Sequence, residues 1–208
     1  MVAIIVLAAG MSRRYGANKL LLPFGAGTVI STVISRVTQS PAWPIVVVTG
    51  HQAEHVQAEL HVRLPNATLT FVHNPNYTTG EMISSVKTGL RSLLPGPADA
   101  AMIVLGDQPL IRLDVIERLR IAYEQNCGDL IAPRFGMNGQ RGHPVLIGRR
   151  WWNDVLALPA ESNVRDLLRA NLASLVHMVV SDDSILGDVD TPEAYQKALA
   201  HTNEGRRD

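Results

Sequence analysis

Residues 7–19 read LAAGMSRRYGANK, and their types could hold a phosphate chain. Gly10 and Gly16 let backbone amides approach an anion, while Ser12, Arg13, Arg14 and Lys19 supply a hydroxyl and full positive charge. The spacing fits neither the GxGxxG of a dinucleotide fingerprint nor the GxxxxGK, followed by Ser or Thr, of the usual P-loop. A basic loop facing only solvent is the other reading of these residues. A divalent cation accompanying such phosphates needs one or two protein carboxylates. Asp107, in VLGDQPL (104–110), stands just past an apolar run and suits that role, or it is a turn aspartate bonded to its own backbone before Pro109. GDVDTPE (187–193) adds Asp188 and Asp190, either of which could instead serve the N-terminus of the helix that follows.

Other reactive side chains carry less. HQAEH, residues 51–55, satisfies the HxxEH pattern of some zinc peptidases. It starts directly after the apolar run IVVVTG, as the turn and first helical turn of a strand–helix unit, and has no evident distal glutamate; zinc hydrolysis is not expected. Gly80 marks the entry to a helical segment whose first turns hold Ser84 and Ser85, with an ordinary amphipathic surface as the alternative. Gly89 reads as a packing position. His143, in the Gly-flanked RGHPV, either lines a pocket for an acceptor or decorates the surface. Trp151 and Trp152 are expected to cap the core. One cysteine, Cys127, excludes an intramolecular disulfide and is expected to be a small buried side chain.

Elements must bring these scattered groups together. Short β-branched runs recur at 2–7, 44–49, 68–72, 100–105, 128–133 and 174–180, most without alternation, which implies burial on both faces. Segments with helical spacing lie between them, at about 27–40, 52–62, 81–94, 112–126, 149–158, 162–171 and 192–200. Strands alternating with helices predict a mostly parallel sheet in an α/β/α three-layer sandwich. PVLIG (144–148) reads as an added strand near the sheet edge. DTPEAY starts the last helix, with Thr191 as N-cap, Pro192 in the first helical position and Glu193 in the first turn.

Composition sets the outer bounds. The 208 residues suit one sizeable domain, 1–200, ahead of a polar tail, 201–208. Nineteen Lys and Arg balance 19 Asp and Glu, so no general nucleic-acid-binding field is expected. No stretch approaches the roughly 18 apolar residues of a membrane span, and the apolar N-terminus, lacking a basic region before it, reads as a strand rather than a targeting segment. A cytoplasmic location is expected.

LAAGMSRRYGANK resembles the LAAGxSxRxGxxK signature of the nucleotidyltransferases that activate sugar phosphates, phosphoalcohols and the molybdenum cofactor (the MobA-like NTP transferases). Within them it is most similar to the cytidylyltransferases of molybdenum cofactor maturation. The resemblance continues through VVVTGH (46–51), NPNYTTGEMISSVKTGL (74–90), VLGDQPL, GQRGHPVLI (139–147) and GDVDTPEAY (187–195). It implies a Rossmann-like nucleotidyltransferase fold and transfer of CMP from CTP to the molybdopterin phosphate, with release of pyrophosphate. It implies that the backbone of Ala8, Ala9 and Gly10 holds the base edge, with Gly80 and Ser85 beside the base. Ser12, Arg14 and Lys19 would hold the triphosphate, and Asp107 and Asp190 would bind Mg2+; Arg14, Lys19 and Asp107 carry the catalytic role. LAAG, with Ala9 where guanosine-using relatives have LAGG, favours CTP. DQP departs from the commoner DMP at Gln108, which bears on the acceptor. A sugar-phosphate or other phosphoalcohol nucleotidyltransferase, and a non-catalytic carrier of a molybdopterin nucleotide, are the alternatives. A molybdoenzyme or accessory protein is the implied partner.

Overall fold

The computed structural model describes residues 1–12, 15–137, 139–181 and 183–204, without the side chains of 202–204. In chain order the elements are β1 (Val2–Ala8), β2 (Pro23–Phe24), β3 (Gly27–Thr28), α1 (Val29–Val37), β4 (Ile45–Thr49), α2 (Ala53–Arg63), β5 (Leu69–His73) and α3 (Met82–Leu93). There follow β6 (Ala100–Leu105), α4 (Leu113–Glu124), β7 (Leu130–Phe135), β8 (Val145–Gly148), α5 (Trp152–Ala157), α6 (Val164–Ala170), β9 (Leu175–Val180) and α7 (Pro192–Glu204). Seven strands form one sheet in the order β5-β4-β1-β6-β8-β7-β9; β2 and β3 make a separate hairpin.

β1 explains why the apolar runs do not alternate. It lies between β4 and β6, parallel to both, with Ile5 opposite Val46 and Ile103. Successive side chains of a strand point to opposite faces. Val2, Ile4 and Val6 accordingly pack with α1, α2 and α4, while Ala3 and Ile5 pack with α3, α5 and α6. Both faces are covered, which is the expected three-layer α/β/α sandwich with a mostly parallel sheet. Gly89 is the packing position expected of it: a Cβ there would lie 2.5 Å from Cγ2 of Ile5.

The segment 144–148 departs from expectation. It is no edge strand: β8 sits between β6 and β7, antiparallel to both, with all four residues buried. An unbroken apolar tetrapeptide fits the middle of a sheet better than its margin, where one side faces water. Cys127 is exposed rather than buried. It lies in the turn after α4, beside Asn126 with its φ of 57°, and such turns run over the surface. The last helix also reaches Glu204, past the predicted start of the tail; residues 205–208 lie outside the described chain. Its start is as predicted, with the Ala194 amide donating to Thr191 Oγ1 at 3.2 Å. Trp152 is a core residue, 1% exposed, and its Nε1 donates to the Ile147 carbonyl at 3.0 Å.

Candidate active site

The parallel strands β1, β4 and β6 end side by side, and a cleft of about 380 Å3 opens beyond their carboxyl ends. Such an edge is where open α/β sheets gather ligands. Gly106 follows β6 and donates its amide to the Leu7 carbonyl at 2.9 Å; a Cβ there would stand 2.7 Å from the same oxygen. Only glycine lets the turn bearing Asp107 lie this close to β1. The segment before α7 is tied to the same turn, since the Val189 amide donates to the Asp107 carbonyl at 3.0 Å. That bond brings Asp188 and Asp190 to Asp107 across a long stretch of sequence, and all three line the cleft.

Lys19 completes the group. It opens a single helical turn, Lys19–Leu21, capped by Asn18, whose Oδ1 accepts from the Leu20 amide at 3.1 Å. Its Nζ donates to carboxylate oxygens of both Asp107 and Asp190. Burial pushes the Lys19 ammonium pKa down, but the Asp107 charge and the hydrogen bonds to both aspartates outweigh it and hold it above the ordinary value. Asp188 moves up, first through burial and then through the Asp107 charge. A positive group held between two carboxylates occupies the kind of position a divalent cation takes. Asp107 and Asp190 therefore fit a cation that arrives with phosphate oxygens and needs few protein ligands.

The opening loop is placed as follows. Ala9 and Gly10 line the cleft, whereas the Ala8 side chain packs into the core at the end of β1. The Ala9 carbonyl accepts from the His51 amide at 3.2 Å. Ser12, at φ 52°, turns its Oγ inward to accept from the Lys19 amide at 3.2 Å, so it braces the loop and does not line the cleft. Arg13 and Arg14 lie outside the described residues.

Gly80 and Ser85 line the opposite wall, with Tyr77, Glu81 and Met82. At Gly80 a Cβ would meet Ser84 Oγ at 2.6 Å and the Asn76 carbonyl at 2.8 Å. Asn74, 1% exposed, donates from Nδ2 to Ser84 Oγ at 2.8 Å and Ser85 Oγ at 2.9 Å, and its Oδ1 accepts from the Asn76 amide at 3.0 Å. Asn74 thus fixes the serine hydroxyls and the loop before them. Sequence reasoning did not single it out, nor Gly106 and Tyr77. An asparagine directly after an apolar strand and ahead of a Gly-marked helix entry was the available signal.

Other candidates fall elsewhere. His51 precedes α2 and His55 lies in its first turn, with the left-handed Gln52 between them. The two histidines therefore do not share one regular helical face. His143 is buried and lines a neighbouring cavity, with Nδ1 3.4 Å from the Ile103 carbonyl; burial brings its pKa down to about 4. Gln108 is buried as well, its Nε2 3.4 Å from the Ile185 carbonyl.

Residues 4–176 match the model of the MobA-like NTP transferase domain. The chain is 28% identical over 201 residues to the molybdenum cofactor cytidylyltransferase of Escherichia coli K12, covering 96% of each. Its backbone resembles the crystal structure of a homologue of Mycobacterium tuberculosis Rv0371c from Mycobacterium sp. strain JC1, with a TM-score of 0.82, 27% identity, and 98% and 97% of the two chains covered. It also resembles M. tuberculosis Rv0371c in complex with manganese, with a TM-score of 0.75, 22% identity, and 96% and 97% covered. Sheet order, cleft and these likenesses agree on a Rossmann-like nucleotidyltransferase fold, and the chain belongs to the family of MobA-like NTP transferase domains.

Proposed function

We propose that the protein transfers CMP from CTP to the terminal phosphate of the molybdopterin cofactor and releases pyrophosphate. The observation that carries this reading is the Lys19 ammonium held by Asp107 and Asp190 in a cleft whose far wall bears Gly80 and Ser85. The full-length likeness to the E. coli cytidylyltransferase supports the acceptor, and Ala9 in LAAG supports cytosine.

Both reactants are anions, so the protein's task is positioning and charge neutralisation. Ala9, Gly10 and Ser85 meet the nucleoside, with Asn74 holding the serine in place. Asp107 and Asp190 would hold Mg2+, which when bound would neutralise charge on the α-phosphate. Lys19, exchanged out of its carboxylate pair, turns to the triphosphate, for which the family resemblance also assigns Arg14. An acceptor phosphate oxygen then bonds to the α-phosphorus as the bond to pyrophosphate breaks. That oxygen is already ionised near neutral pH, and no side chain need act as a general base. The reading makes the protein a cytoplasmic enzyme that hands its product to a molybdoenzyme or accessory protein; among its described residues no helix is long and apolar enough to cross a membrane.

The test is pyrophosphate release with Mg2+, offering CTP against GTP and molybdenum-loaded against metal-free acceptor. Lys19→Ala and Asp107→Ala should each lose at least about a hundredfold in rate, the scale for a lost electrostatic contact to a transition state. Near-native rates in both variants would end the mechanism. Transfer to sugar phosphates or other phosphoalcohols in place of molybdopterin would reassign the acceptor, and binding without turnover would make the protein a carrier.

A further inference from the structure

A second cavity of about 320 Å3 lies between the loop joining β7 to β8 and helix α6. Arg141, Arg165 and Arg169 line it, and none of the described residues lining it is a carboxylate. In a chain with 19 cations and 19 acidic groups, three arginines around one hollow are a marked local imbalance. Arg165 and Arg169 are four apart on α6, on the side of Leu168, and so face the cavity together. Arg169 has only a 3.7 Å approach to Asp166, and Arg141 and Arg165 form no ion pair among the described residues.

Arg141 carries the second observation. Its Nη1 is buried and has no hydrogen-bond partner among the described residues. A desolvated guanidinium N–H is costly unless an acceptor meets it, and no group among the described residues does. The end of the loop, at Gly142 and His143, is anchored to its neighbours. The Gly142 amide donates to the Pro133 carbonyl at 3.1 Å, and the His143 amide donates to the Ile185 carbonyl at 3.0 Å. A Cβ on Gly142 would lie 2.1 Å from that Ile185 oxygen. Val145, Val164 and Leu168 supply an apolar wall beside the cations. The buried His143 ring feels the charges of both Arg165 and Asp107, which places the cavity within electrostatic reach of the transfer site.

We propose that this cavity is an anion subsite for the acceptor: Arg141 and Arg165 bind a negatively charged group at the end remote from the attacking phosphate, and the apolar wall packs its body. The proposal rests on the transfer reading above. It predicts an acceptor with two anionic ends, one directed to the cation that Asp107 and Asp190 would hold and one at these arginines.

The test uses full-length protein and the double variant Arg141→Gln/Arg165→Gln. With acceptor varied at saturating Mg2+ and CTP, the variant's acceptor KM should rise at least about tenfold, while kcat and the KM for CTP stay within about twofold. In parallel, inorganic molybdate, a dianion, is titrated calorimetrically into protein saturated with Mg2+ and CTP, so that the nucleotide site is already filled. Wild type should bind it and the variant at least about fivefold more weakly, with equal thermal midpoints showing an intact fold. Equal molybdate affinities, or an unmoved acceptor KM, overturn the subsite. Arginine-dependent molybdate binding in a wild type that transfers CMP to no acceptor would overturn the reaction and leave the anion site standing.

Discussion

At the residue scale, the groups with clear chemistry in the sequence are those the structure gathers: Lys19, Asp107, Asp190, Gly80 and Ser85. Lys19 and Asp107 were legible from their types, a cation in a glycine-bearing loop and a carboxylate just past a buried strand, whereas Asp190, Gly80 and Ser85 were picked out by the family resemblance. Asn74 was not, because its value lies in what it touches, and asparagine after a strand is also ordinary turn chemistry. His143 was left between pocket and surface; burial decides against the surface. Its pKa falls from 6.5 to about 4, so the native state resists a proton that the unfolded chain accepts. The stability it contributes is therefore complete above about pH 6.5 and is lost as pH falls toward 4, by roughly 3 kcal/mol. Urea denaturation of wild type and His143→Gln across that window should show the variant's deficit shrinking by about that amount. A constant difference between the two proteins would mean that His143 is protonated equally in both states.

At the element scale, the β-branched runs announced their strands, and the absence of alternation correctly announced two covered faces. β8 was misjudged in position because composition reports burial but not pairing partner. Its antiparallel insertion between β6 and β7 depends on a return connection, residues 136–144, whose path local propensity does not encode. α3 shows how an element conveys a site's geometry, since it carries Ser84 and Ser85 at one end and packs Gly89 against β1 further along. Alanine at position 89 should gain about 1 kcal/mol of helix propensity. It should nonetheless destabilise the protein by about 1–3 kcal/mol through overpacking, because the new methyl would meet Ile5 at 2.5 Å and Val48 at 3.2 Å in the middle of the sheet. The denaturation midpoint of Gly89→Ala measures this. Relief of the clash by sliding α3 would displace Ser85, so CTP affinity should weaken in the same variant. A midpoint at or above wild type would show that helix and sheet do not meet as tightly as described.

At the scale of the whole molecule, the site depends on joining the two ends of the chain, and this was the least legible feature. Nothing in local sequence links Lys19 to Asp190, 171 residues apart. The link is a third apolar cluster, in which Phe24 and Val29 pack with Val189, Tyr195 and Ala198, and Tyr15 lies against it. The Tyr195 ring meets that of Tyr15 edge-on, 6.2 Å between centroids, and its hydroxyl donates to the Pro23 carbonyl. Tyr195 does not line the cleft, yet it braces α7 against the segment that carries Lys19. A ligand that spans both ends should therefore bind more weakly when the brace is cut, because part of its binding energy goes into restoring the closed arrangement. Tyr195→Phe removes a single hydrogen bond, worth about 0.5–1.5 kcal/mol, and should weaken Mg2+–CTP binding by at most about tenfold. Tyr195→Ala removes the packing too and should weaken it further. Calorimetric titration of both variants checks this, with molybdate binding at the arginine cavity as an internal control that α7 should not move. Nucleotide affinity unchanged in Tyr195→Ala would show that Lys19 and Asp190 meet without help from the joined chain ends.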